Sequence, residues 1–111
     1  SVNYMTSIIQ VLETRLRVII KGGNVEKQLK YIANKYGKES QLRQLQEECA
    51  ELIVACSKIL RMSDKSINNL IEEIADVRVM IEQIEYLYGI KSLVEDEMIY
   101  KVERQLERIK A

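Results

Sequence analysis

Four carboxylates at matched spacing carry the chemistry of this chain. Glu48 and Glu51 stand three residues apart in QEECAELIVAC, and Glu73 and Asp76 repeat that spacing in IEEIADVRVM. Three residues is about one helical turn, so each pair projects from one side of its own helix. If the two helices lie side by side, four carboxylates converge. At an effective dielectric of ~20, two unit negative charges ~5 Å apart repel by about 3 kcal/mol. A hard divalent cation with oxygen ligands, such as Mg2+, turns that repulsion into binding. Gln44 and Asn69 extend the two acidic rows, whereas Glu47 and Glu72 point further outward and read as solvent-facing.

Absent residues narrow the chemistry further. The chain has no histidine, which removes Ser-His and Cys-His nucleophilic catalysis, His-ligated zinc and the Glu-x-x-His di-iron bundles. Cys49 and Cys56 lie seven residues apart on one predicted helix, a rise of about 10.5 Å. A disulfide needs Cα atoms within ~7 Å, so they cannot bridge within that helix and read as buried thiols of a cytoplasmic protein. A formal net charge of zero argues against a nucleic-acid binder that depends on backbone charge. No apolar run is long enough to span a membrane, and the N-terminus does not resemble a secretory signal.

The elements that must position these groups are all helical. With 111 residues, no proline, only four glycines and 31% charged residues, the composition fits one all-α, compact helical bundle. Periodicity predicts five segments. The first runs from Asn3 to Ile20 and is ended by Gly22-Gly23. It forms an N-terminal accessory helix, 1–23, ahead of a helical domain, 24–111. Asn24 is the expected N-cap of the second segment, which Gly37 terminates. The third covers Ser40 to Arg61, with Leu42, Leu45, Cys49, Leu52, Cys56 and Ile59 inward. Ser63 and Asp64 make the turn.

The fourth segment covers Lys65 to Tyr88 and stops at Gly89, with Ile67, Leu70, Ile71, Ile74, Val77 and Ile81 inward. Met80, Ile84 and Leu87 extend its apolar character to another side. That suits burial against a second subunit and predicts a homo-oligomer, a dimer or a tetramer. Ser92 and Glu95 read as a capping box for the last helix.

The stretches EECAEL and EEIADV resemble the paired ExxE and ExxD motifs of the all-α nucleoside triphosphate pyrophosphohydrolases. That superfamily contains MazG-like proteins, dimeric dUTPases and dCTP pyrophosphatases. The resemblance covers roughly Gln28 to Ile109. It implies hydrolysis of a nucleoside triphosphate to the monophosphate and pyrophosphate with Mg2+, or Mn2+ as a substitute. It also implies that Glu48, Glu51, Glu73 and Asp76 are the metal ligands, with Glu48 also orienting or deprotonating the attacking water. Gln44 and Asn69 would then reach nucleotide or metal-bound water, and Lys101 and Arg104 would supply charge to the triphosphate. The last helix matches the lysine-, asparagine- and arginine-containing motif of the dimeric dUTPases only through Lys101, Arg104 and Arg108. Two other readings stand beside this one. A catalytically weak nucleotide-binding or regulatory protein would bind without turnover, and a plain helical oligomerisation module would do neither.

Overall fold

In the computed structural model the chain is all α-helical among the described residues, which are 2–111. For residues 2–4, 18, 20, 63 and 64 the backbone alone is described. Four helices follow one another: α1 (Val2–Tyr36), α2 (Lys38–Met62), α3 (Ile67–Tyr88) and α4 (Lys91–Lys110). A short 3-10 turn, Ser63–Ser66, joins α2 to α3.

The terminators at Gly37 and Gly89 act as their sequence implies. Both take positive φ, 86° and 63°, a conformation that costs other residues steric strain. At Gly89 the backbone folds back on the end of α3. Its N–H donates to the Tyr86 carbonyl at 3.1 Å, and that of Ile90 donates to the Glu85 carbonyl at 3.0 Å. The helix α4 then starts at Lys91, so Ser92 lies inside its first turn. The expected Ser92–Glu95 capping box is not formed, because the cap position falls to Ile90, which offers no side-chain hydrogen bond.

Gly22 and Gly23 do not end a helix, contrary to the sequence reading. The first two expected segments are one helix of 35 residues, and Asn24 lies inside it. A glycine stops a helix by turning left-handed, and these two keep ordinary helical φ. Their cost is entropic, about 1 kcal/mol each relative to alanine, and the hydrogen-bond ladder runs through them.

The helices α2 and α3 pack most extensively, and they are antiparallel. Gln41 stands opposite Gln83, with its Nε2 donating to Gln83 Oε1 at 2.7 Å across a fully buried contact. Gln83 Nε2 is turned to Met80 Sδ at 3.8 Å. The C-terminal part of α1 covers the pair, with Ala33 fully buried and Asn34 Nδ2 donating to the Tyr86 hydroxyl at 2.8 Å. Among the described residues α4 packs against α3 alone.

This arrangement covers fewer apolar side chains than periodicity suggests. The covered side of α3 carries Val77, Met80 and Gln83, with Ile84 and Leu87 half-buried, while Ile67, Ile71, Ile74 and Ile81 lie exposed. The expected inward stripe is thus largely the outward one. Leu70 is half-buried, and Val77 alone of that stripe is buried. On α2 the covered line runs through Gln41 and Ala55, which leaves Cys49 and Cys56 exposed and free instead of buried. The single chain is not compact. It exposes 9303 Å2, where a folded monomer of its 13.0 kDa exposes roughly 6,300 Å2. Its radius of gyration is 18.2 Å, against about 13 Å for a globule of this length.

A continuous α1 has a direct consequence. A Cβ at Gly22 or Gly23 would meet nothing within 4 Å. Gly22→Ala and Gly23→Ala should each stabilise the chain by about 0.5–1 kcal/mol and raise its helical circular dichroism. Gly37→Ala, placed at a left-handed backbone, should destabilise by roughly 1 kcal/mol. Thermal melts of the three variants check this. A loss of stability in the first two would restore a break between two helices.

Candidate metal centre

Two helices and a short turn build the site. Antiparallel packing about that turn sets Glu48 opposite Asp76 and Glu51 opposite Glu73, in the same register as Gln41 opposite Gln83. One carboxylate oxygen from each of Glu48, Glu73 and Asp76 lies within 4.8 Å of the others. Glu48 and Glu73 are half-buried, and Asp76 is exposed at the rim. Glu51, also exposed, sits beside Glu73 and acts on it electrostatically. All four carboxylates singled out in the sequence therefore belong to one electrostatic group, with three of them forming its tight centre.

Gln44 and Asn69 flank the centre from opposite helices. Gln44 Nε2 donates to Glu48 Oε1 at 2.7 Å. Asn69 Nδ2 reaches Glu73 Oε1 at 3.5 Å, a long and weak contact. Each amide thus engages one oxygen of its carboxylate. The other two oxygens, Glu48 Oε2 and Glu73 Oε2, are buried without a hydrogen-bond partner. A buried polar atom left unpaired costs free energy, and more so when it carries charge. Two such oxygens beside a third carboxylate form a hard, oxygen-only donor set that fits Mg2+ or Mn2+ and lacks the nitrogen or sulfur that zinc prefers.

Glu73 shows the strain of this crowding. Its carboxyl is held above the ordinary glutamate range. Burial is the largest cause, followed by the nearby carboxylate of Glu51 and the charges of Asp76 and Glu48. A raised pKa favours the proton on Glu73, so a proton would compete with any cation for its oxygens.

The basic candidates stand apart from the cluster. Lys101 Nζ lies 3.7 Å from Glu97 Oε1, and the Arg104 guanidinium sits 5.7 Å from the centre of the Tyr100 ring, all on α4. Among the described residues no ion pair joins a lysine or arginine to any of the four carboxylates. A groove of about 970 Å3 lies elsewhere, between α1 and the junction of α3 with α4, where Val25, Leu29 and Tyr86 line it. It contains none of the four carboxylates.

Sequence reasoning missed Gln83. It is fully buried and fixes the register through Gln41, yet as an isolated glutamine in an apolar helix it carries no motif. Its position opposite Gln41, at equal distance from the turn, is the signal that could have found it. No family model, curated protein or solved structure matches the chain.

The metal-free chain should be sensitive to pH through Glu73. An acid whose folded pKa is raised binds its proton more tightly in the folded state. Stability is then full below the unfolded glutamate pKa and is lost as pH rises through the raised folded value. Thermal melts in chelator should show a Tm that falls as pH climbs out of the ordinary glutamate range, and Glu73→Gln should flatten that slope. A parental slope in Glu73→Gln would assign the pH dependence to other groups.

Proposed function

We propose that the chain is a Mg2+-dependent nucleoside triphosphate pyrophosphohydrolase of MazG-like type, acting as a homo-oligomer. The observation that carries this reading is the centre formed by Glu48, Glu73 and Asp76, with two buried carboxylate oxygens left without partners. The paired motifs in EECAEL and EEIADV agree with it. A bound divalent cation neutralises phosphate oxygens and makes a coordinated water more acidic.

The chain's own residues supply the rest. Glu48, Glu73 and Asp76 hold the cation, and Glu51 completes the set from the edge. Gln44 holds Oε1 of Glu48, and Glu48 would also orient the attacking water and accept its proton. Water then attacks the α-phosphorus, the bond to the bridging oxygen of the β-phosphate breaks, and monophosphate and pyrophosphate leave. Such transfer rests on positioning and charge neutralisation more than on covalent chemistry. Gln44 and Asn69 stand where they can also contact metal-bound water. Lys101 and Arg104 remain candidates for the triphosphate, and within one chain they are engaged on their own helix.

The oligomer is supported by exposed area. The excess over a folded monomer is roughly 3,000 Å2 per chain, or about 6,000 Å2 for a pair, at or beyond the upper end of what an obligate dimer removes from water. The isoleucine face of α3, Ile67, Ile71, Ile74 and Ile81, contributes to it.

Two substitutions test the reading. Glu51→Gln and Asp76→Asn each remove one charge while keeping shape. In chelator each should be at least as stable as the parent, because like-charge repulsion falls. Each should also lose most of the Mg2+-induced rise in Tm, which comes only from binding to the folded state. Pyrophosphate release, measured across the common ribo- and deoxyribonucleoside triphosphates, should fall at least about 100-fold. Parental turnover with parental Mg2+ stabilisation in both variants would overturn the shared site. Mg2+ stabilisation without turnover in the parent would instead favour a nucleotide-binding protein.

A further inference from the structure

A buried amide pair and a carboxylate pair share one line along α2 and α3. Gln41 precedes Glu48 by seven residues, and Gln83 follows Asp76 by seven. That is two turns along the same face of each helix, a rise of about 10.5 Å. Gln41 and Gln83 are 5% and 2% exposed and share a 2.7 Å hydrogen bond. The buried apolar residues of the two helices choose a register less sharply. On α2 the buried residues are Gln41 and Ala55, and alanine offers a single methyl group. On α3 they are Val77, Met80 and Gln83, and methionine is unbranched and adapts to its neighbours. Apolar burial is non-directional, whereas a slip of one turn parts the two amides and strands both. Met80 Sδ, 3.8 Å from Gln83 Nε2, is a weak acceptor and does not replace a lost oxygen.

Two forces therefore oppose each other along this interface. Repulsion among Glu48, Glu51, Glu73 and Asp76 favours a slip that draws the carboxylates apart. The amide pair resists it. Selecting register, at some cost in stability, is the best-attested use of a lone polar contact between helices.

We propose that Gln41 and Gln83 are positioning residues for the centre. Two turns from Glu48 and Asp76, they set its affinity for a divalent cation by holding the register that brings Glu48, Glu73 and Asp76 within 4.8 Å. This rests on the cation reading of that centre. Apparent affinity falls in proportion to the fraction of molecules in the competent register.

The test uses the full chain with Gln41→Met and Gln83→Met combined. Replacing both partners by apolar groups of similar length removes the hydrogen bond without stranding either amide, so this variant should melt in chelator like the parent. Its Mn2+ affinity, titrated by electron paramagnetic resonance, should nevertheless fall at least about tenfold. Gln41→Met alone leaves the Gln83 carbonyl without its donor, and should weaken Mn2+ binding similarly while lowering the Tm. A merely structural role would lower the Tm and leave the affinity of the folded protein unchanged.

A second measurement needs no metal. With Cys49→Ser in place, nitroxide labels on the exposed Cys56 and on Glu82→Cys report the position of α2 along α3. In chelator the parent should give one distance, and the methionine pair should add a population displaced by about 5 Å, the rise of one turn. Parental Mn2+ affinity in both amide variants, or an unchanged label distance, overturns the proposal. A parent that takes up no Mn2+ refutes the cation centre instead, and the label distance then decides the register claim alone.

Discussion

The antiparallel register of α2 on α3 is the constraint on which the rest depends. One buried hydrogen bond, Gln41 to Gln83, fixes it, because either amide would be stranded by a shift along the helix. That register sets Glu48 against Asp76 and Glu51 against Glu73. It therefore forces like charges together in a half-buried place, and the raised pKa of Glu73 is the cost that shows. A shift of one turn would separate the pairs and relieve the repulsion. The fold holds an arrangement that is unfavourable by itself, and on the proposed reading a cation would remove the penalty.

Much of this was legible in the sequence, and the reason is geometric. A short turn near Met62 makes two flanking helices antiparallel, so residues at equal distances from it must face one another. Glu48 and Asp76 satisfy that condition, as do Glu51 and Glu73, and the four carboxylates could be placed together before any coordinates. Gly37 and Gly89 ended their helices because at each the backbone turns left-handed, with φ of 86° and 63°. Gly22 and Gly23 misled the reading, since composition shows that a helix is weakened there but not whether the backbone turns.

The faces of α3 were harder to read, for a physical reason. The helix is apolar on two sides, and periodicity cannot say which side the chain covers for itself. The covered side contains Glu73 and Gln83, so it looks less hydrophobic than the side left open. The same holds for α2, where Gln41 is buried while Cys49 and Cys56 are exposed. Polar and charged groups, Gln41, Gln83 and Glu73, took places that a hydrophobic pattern assigns to aliphatic residues. The aliphatic residues displaced in this way form the exposed surface of the single chain, which ties the chemistry of the centre to the case for assembly.

Electron paramagnetic resonance of Mn2+ titrated into the full chain tests the shared centre most directly, since it reports bound ion without requiring turnover or a known substrate. The parent is expected to take up Mn2+ saturably, with Mg2+ competing for the same site, and Glu48→Gln or Glu73→Gln is expected to abolish that uptake. Parental Mn2+ uptake in both variants, or none in the parent, would contradict a cation held between α2 and α3.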